Sequence, residues 1–167
     1  MRSDDDARQA FEAFVSAANY SMLVLTTARR GTRRAGCLVG FATQCSIEPQ
    51  RFLVCVSKAN ATARLVRQVR YVGVHQLGAE QHELARLFGE QSGDWTDKFT
   101  ACGWHAGAHG VPVLDDAPAW MVGRIVTRVG LGDHTGLVLA PVAGGRHRDG
   151  APLMFDAVKT LDAGHPA

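Results

Sequence analysis

Two short stretches carry residue types in an order that can hold a ligand. The first is Gly40-Phe41-Ala42-Thr43-Gln44-Cys45-Ser46-Ile47-Glu48-Pro49. Small and hydroxyl residues interrupt an apolar run where a strand leaves the core. A flat ligand could lie there and pair its heteroatom edge with strand-end N–H and C=O groups. A twisted strand ending in a proline turn has the same pattern. The second is Ser57-Lys58-Ala59-Asn60-Ala61-Thr62, a turn that opens the helical pattern continuing through Arg64-Leu65-Val66. Free N–H donors at a helix start, the Lys58 charge and the Ser57 and Thr62 hydroxyls make a phosphate cradle. An Asn or Ser N-cap on a solvated helix accounts for the same residues. A nucleotide needs a base seat and a phosphate seat at fixed separation, and these two stretches flank one strand, Arg51 to Val56. That pairing favours the ligand reading.

Other constellations are weaker. His105 and His109 are four apart, but Gly107 and Gly110 oppose a helix and no third ligand is near in sequence, so no metal site is expected. Gly130-Leu131-Gly132 does not open a helix after a strand, and no P-loop, G-x-S-x-G or H-E-x-x-H is present. His134 follows Asp133 in a tight inter-strand turn, where it either orders the hairpin or faces a ligand. His75 and His82 read as structural or surface residues. Arg29, Arg30, Arg33 and Arg34 surround a glycine in a hairpin; they meet an anionic ligand or acidic partner, or are simply solvated. Cys37, Cys45, Cys55 and Cys102 show no C-x-x-C pair and read as reduced thiols, three of them in apolar runs.

The elements that must position these groups follow from periodicity. Apolar Ala7, Phe11, Phe14, Val15 and Ala18 recur at helical spacing over Asp4–Ala18, behind three aspartates that suit a helix N-terminus. Strands are expected at Met22–Thr26, Ala35–Cys45, Arg51–Val56 (buried on both faces), Tyr71–Gln76, Ala119–Val129 and His134–Val142, with Leu153-Met154-Phe155 as a last short one. Short helices fit Asn60–Gln68 and Gln81–Phe88. Gly89–Asp116 reads as a long ordered loop with a short helix near Asp97, and Gly144–Gly150 as a polar hairpin. The class is α+β, mainly β: a barrel with short flanking helices rather than a βαβ sandwich.

Size and charge bound the function. The chain has 167 residues, the size of one domain, with 18 Lys+Arg against 16 Asp+Glu for a net charge of +2. That balance, and the lack of aromatic residues among the hairpin arginines, argue against nucleic-acid binding. No apolar run approaches the ~20 residues of a membrane span, and the acidic start lacks an apolar signal core, so a cytoplasmic protein is expected.

Gly36-Cys37-Leu38-Val39 leading into Gly40–Pro49, then Phe52–Thr62, resembles the flavin reductase-like family. Gln81–Phe88, Gly110-Val111-Pro112-Val113-Leu114 and Gly132-Asp133-His134 follow in that family's order, so the resemblance covers Phe11 to Phe155. It implies an FMN-binding split β-barrel, a homodimer with the flavin near the subunit interface, and reduction of FMN (or FAD) by NADH or NADPH, often for a separate monooxygenase component. Hydride transfer belongs to the cofactor; the protein binds, orients and tunes. By similarity, Phe41, Ala42 and Thr43 contact the isoalloxazine, Ser46 is a further cofactor-binding residue, Ser57, Lys58, Asn60 and Thr62 hold the phosphate, and His134 shapes the nicotinamide side as the catalytic candidate. Phe41 stands where a small residue is common. The competing expectation is a module that carries FMN or a deazaflavin without turnover. The loop aromatics Trp95, Phe99 and Trp104 are expected to expose apolar surface for the dimer.

Overall fold

The computed structural model describes residues 4–30, 33–93 and 96–162. Its strands are β1 (Leu23–Ala28), β2 (Arg34–Val39), β3 (Ala42–Ser46), β4 (Arg51–Ser57), β5 (Tyr71–Gln76), β6 (Trp104–Ala106), β7 (Pro112–Leu114), β8 (Ala119–Leu131) and β9 (His134–Arg146). The helices are α1 (Asp4–Ser16), α2 (Ala61–Val66) and α3 (His82–Glu90). Seven strands form one antiparallel ladder in the order β2-β1-β5-β8-β9-β4-β3, and β6 and β7 form a separate hairpin. The ladder's two end strands, β2 and β3, are consecutive in the chain, separated by Gly40 and Phe41 alone. The sheet must therefore roll up until its edges almost meet, which makes a barrel with one open seam.

Alternation along β1 sorts the core. Leu23 and Leu25 face the barrel interior with Val54, Val56, Val72, Leu137 and Leu139. Met22 and Val24 face outward, under Ala85 and Phe88 of α3 and Leu153 and Val158 of the C-terminal segment. Ala63 and Val66 of α2 complete the interior cluster.

Several expectations are corrected. The stretch expected as one strand, Ala35–Cys45, is two: the chain leaves one sheet edge at Val39 and joins the other at Ala42. Gly40 permits the crossing, since a β-carbon there would stand 2.5 Å from the Tyr20 ring. In β4 only Val54 and Val56 are buried, so the strand is half-buried rather than covered on both faces. Gly144–Gly150 is not a hairpin; β9 pairs with β8 as far as Arg146. The glycines serve close approach, a β-carbon at either Gly144 or Gly145 lying 3.0 Å from Trp120 atoms. Leu153–Phe155 makes no strand; Met154 forms a single bridge to Ser21.

Within 89–116 the Asp97 carboxylate caps a 3-10 turn, Lys98–Thr100, by accepting from the Phe99 N–H at 3.1 Å. The β6–β7 hairpin there was not expected. Phe99 is buried, edge-on to Phe88 and Trp104 at 5.7 and 5.8 Å, so it is not part of an exposed apolar surface. Trp95 and the hairpin tip Gly31-Thr32 lie outside the described residues. Exposed apolar side chains occur elsewhere: Phe11 (64%) and Phe14 (79%) on α1, with Phe41 (55%) and Ile47 (80%) beside β3. Cys45 is exposed, unlike the buried Cys37. No helix among the described residues is long and apolar enough to cross a membrane.

Candidate functional site

A hollow of about 200 Å³ opens at the seam. Its walls are the end of β2 through Phe41, then Ser57, Asn60 and His134, and behind them Tyr20 and Phe155. The ladder explains the convergence. Ser57, the last residue of β4, is the register partner of His134, the first of β9. Phe41 is held across the hollow because its carbonyl accepts from the Cys55 N–H at 2.9 Å. The Phe41 ring then lies 5.3 Å from the His134 imidazole, tilted by 49°.

His134 is oriented by its neighbour. Its Nδ1–H donates to the Asp133 carboxylate at 2.7 Å, and this bond first of all holds the Asp133 carboxyl below its ordinary value. Gly132 has φ +62°, the left-handed conformation that lets a two-residue turn join β8 and β9. Lys58 ties the cradle to that turn: its N–H donates to the Asp133 carbonyl at 2.8 Å and its Nζ to the Gly132 carbonyl at 2.5 Å. An ammonium has three donors, so two remain for a ligand. Asn60 caps α2, its Oδ1 accepting from the Thr62 N–H at 2.9 Å, while the Ser57 hydroxyl accepts from the Ala59 N–H at 3.3 Å.

The expected site residues are thus brought together unevenly. Phe41, Ser57, Asn60 and His134 line the hollow, and exposed Lys58 sits at its rim. Ala42, Thr43 and Ser46 continue along β3, which pairs with β4 on one side only, so its other edge offers unpaired N–H and C=O groups. Thr62 departs: its side chain is buried and hydrogen-bonds Cys37, whose thiol burial pushes up to about 11. It supports the cradle from beneath. Tyr20 and Phe155, stacked at 4.9 Å and 19°, were missed. They are 135 residues apart, so no local pattern joins them.

The hollow is smaller than the roughly 300–1,000 Å³ that cofactor-sized ligands occupy. A planar cofactor would fill it and extend along the open β3 edge, its phosphate at Ser57, Lys58 and Asn60. Aromatic wall, free strand edge and cationic hydroxyl-amide cradle all fit FMN. Among the described residues no three His, Cys, Asp or Glu side chains cluster as metal ligands.

A split antiparallel barrel with a hollow at its seam whose lining fits part of a flavin nucleotide is the architecture of a cofactor-binding β-barrel. The chain belongs to the flavin reductase-like family, whose sequence profile, described as "Flavin reductase like domain", matches residues 16–161. It is 29% identical over 143 residues to an FMN reductase (NADH), RutF, of Bradyrhizobium diazoefficiens, covering 86% of this chain and 78% of the relative. It is 30% identical over 135 residues to an NADPH-flavin oxidoreductase of Streptomyces viridifaciens, covering 79% and 69%. Among solved structures it resembles BorF, the flavin reductase component of a bacterial two-component tryptophan halogenase, with a TM-score of 0.74 and 25% identity over 90% of this chain and 93% of BorF.

Proposed function

We propose that this chain is a cytoplasmic, single-domain NAD(P)H-dependent FMN reductase that supplies reduced flavin to a separate oxygenase component. The observation that supports the reading is the Ser57–His134 register pair facing Phe41, which sets a hydroxyl, an amide, an aromatic wall and an oriented imidazole around one hollow. When bound, FMN supplies the hydride-accepting ring atom; the chain needs no general base of its own. Ser57, Lys58 and Asn60 hold the phosphate. Phe41, Ala42, Thr43 and Ser46 seat the ring against the β3 edge. The Tyr20–Phe155 stack keeps water from its buried side, and His134 positions the nicotinamide. The relatives named for FMN, NADH and NADPH support both substrates. Oxidation of NADH or NADPH by the purified protein with FMN, followed as loss of reduced-nicotinamide absorbance, tests this. No turnover with either nucleotide would leave a non-catalytic flavin carrier.

The phosphate assignment has its own test. Ser57→Ala with Lys58→Ala removes a hydroxyl and a charge, and charge-assisted bonds contribute about 1.5–3 kcal/mol each. FMN affinity, read by flavin fluorescence, should fall at least ~10-fold, while riboflavin, which lacks the phosphate, binds as before. Equal weakening of both ligands would put the phosphate elsewhere.

The protein acts as a homodimer. The support is the apolar set Phe11, Phe14, Phe41 and Ile47, exposed on α1 and beside the half-open hollow. Sedimentation at micromolar concentration should give a dimer, and Phe14→Asp a monomer. A wild-type monomer of 17.9 kDa would overturn it.

A further inference from the structure

A second, larger hollow, of about 950 Å³, lies at the opposite end of β2 from the seam. Five residue steps separate Arg34 from Val39, about 17 Å along the strand. Arg29, Arg30, Arg33 and Arg34 of the β1–β2 hairpin line it, as does Arg70, the residue before β5. No Asp or Glu is among the described residues that line it. Arg29 Nη1 is anchored on Gln68 Oε1 at 2.8 Å, and Arg34 Nη2 on Asp97 Oδ2 at 3.2 Å with its guanidinium 4.7 Å over the Trp104 ring. These bonds hold the Arg29 and Arg34 cations in place. Among the described residues the Arg70 guanidinium makes no hydrogen bond or ion pair.

One wall is flat and aromatic. The rings of Tyr71 and His109 stack at 3.7 Å and 5°. His109 is held there at φ 57°, ψ 21°, the left-handed region that few non-glycine residues adopt, histidine more often than most. Strained, non-glycine backbone of this kind concentrates at ligand clamps.

We propose that this hollow binds a nucleoside diphosphate group, with the arginines on the phosphate oxygens and the Tyr71–His109 stack beside the base. Guanidinium forks match phosphate geometry, and a stacked plane serves a purine. The volume falls within the range that small-molecule ligands occupy. The inference does not depend on the flavin reading.

Calorimetric titration of the protein, in the presence of excess FMN, with ADP, adenosine and pyrophosphate tests it. ADP should bind saturably, and Arg70→Ala should weaken both ADP and pyrophosphate about tenfold or more. His109→Gly, which keeps the left-handed backbone without strain, should weaken ADP and leave pyrophosphate unchanged. If ADP competes with NADH in turnover and Arg70→Ala raises the KM for NADH, the group bound is the dinucleotide's own ADP half. If turnover ignores ADP, it is a free nucleotide. No saturable ADP binding at millimolar concentration, or ADP affinity unchanged in Arg70→Ala, overturns the proposal. Because the titration needs no catalysis, a protein that fails to oxidise NADH would still answer it.

Discussion

His134→Ala is expected to lower kcat/KM for the pyridine nucleotide by on the order of a hundredfold while FMN affinity stays nearly unchanged. The imidazole borders the hollow beside Phe41 and is aimed by its bond to Asp133, whereas the donors proposed for the phosphate are on Ser57, Lys58 and Asn60. Its removal therefore acts on the pose of the second substrate, and misplacing a hydride donor by about 1 Å costs roughly that factor. Asp133→Asn, which keeps size but loses the carboxylate, should lower kcat/KM by less. A histidine that merely orders the turn gives another pattern: a lower melting temperature, both ligands weakened together, and normal kinetics per folded, flavin-loaded subunit. Kinetics, an FMN titration and a melting curve on one variant separate the two.

Acid should destabilise the fold through His75. This side chain is fully buried, its Nδ1–H donating to the Val24 carbonyl at 3.1 Å and its Nε2 accepting from the Leu114 N–H at 3.1 Å. Both ring nitrogens are committed in the neutral form, and a second proton would set two N–H groups against each other. Burial accordingly lowers the pKa from 6.5 to about 4. The sign follows from the unfolded chain taking up the proton first. Stability is full above pH 6.5 and is lost as pH falls towards about 4, by up to roughly 3 kcal/mol. Denaturant unfolding across that interval should show the slope, and His75→Gln, whose amide oxygen can replace Nε2 as acceptor, should flatten it. An unchanged slope in the variant would assign the loss to other groups.

The parts legible in the sequence were those with local causes. Strict period carried β5 and α1, and the hydroxyl-amide turn before α2 announced its own cap at Asn60. The order of motifs placed His134 and Ser57 in one family, and their facing follows from the β4–β9 register. What was hidden depended on contacts between distant segments. Nothing near Gly144 tells a turn glycine from one pressed against Trp120. Thr62 has the composition of a ligand donor, and only the packing of Cys37 beneath α2 turns it inward. The short β6–β7 hairpin is too small for a periodic signal. The aromatic loop pattern was visible, but Phe88 gives Phe99 and Trp104 an interior to enter.

The seam between β2 and β3 has a mechanical consequence. Every other neighbouring pair in the ladder is held by a row of backbone hydrogen bonds, so parting them has an enthalpic cost at each residue. Between β2 and β3 no ladder runs: the Gly40-Phe41 link, the Phe41 carbonyl bond to the Cys55 N–H and side-chain packing under α2 set the spacing. The barrel can breathe along that line with no ladder bond broken, and the hollow proposed to seat the flavin lies on the compliant side of the molecule.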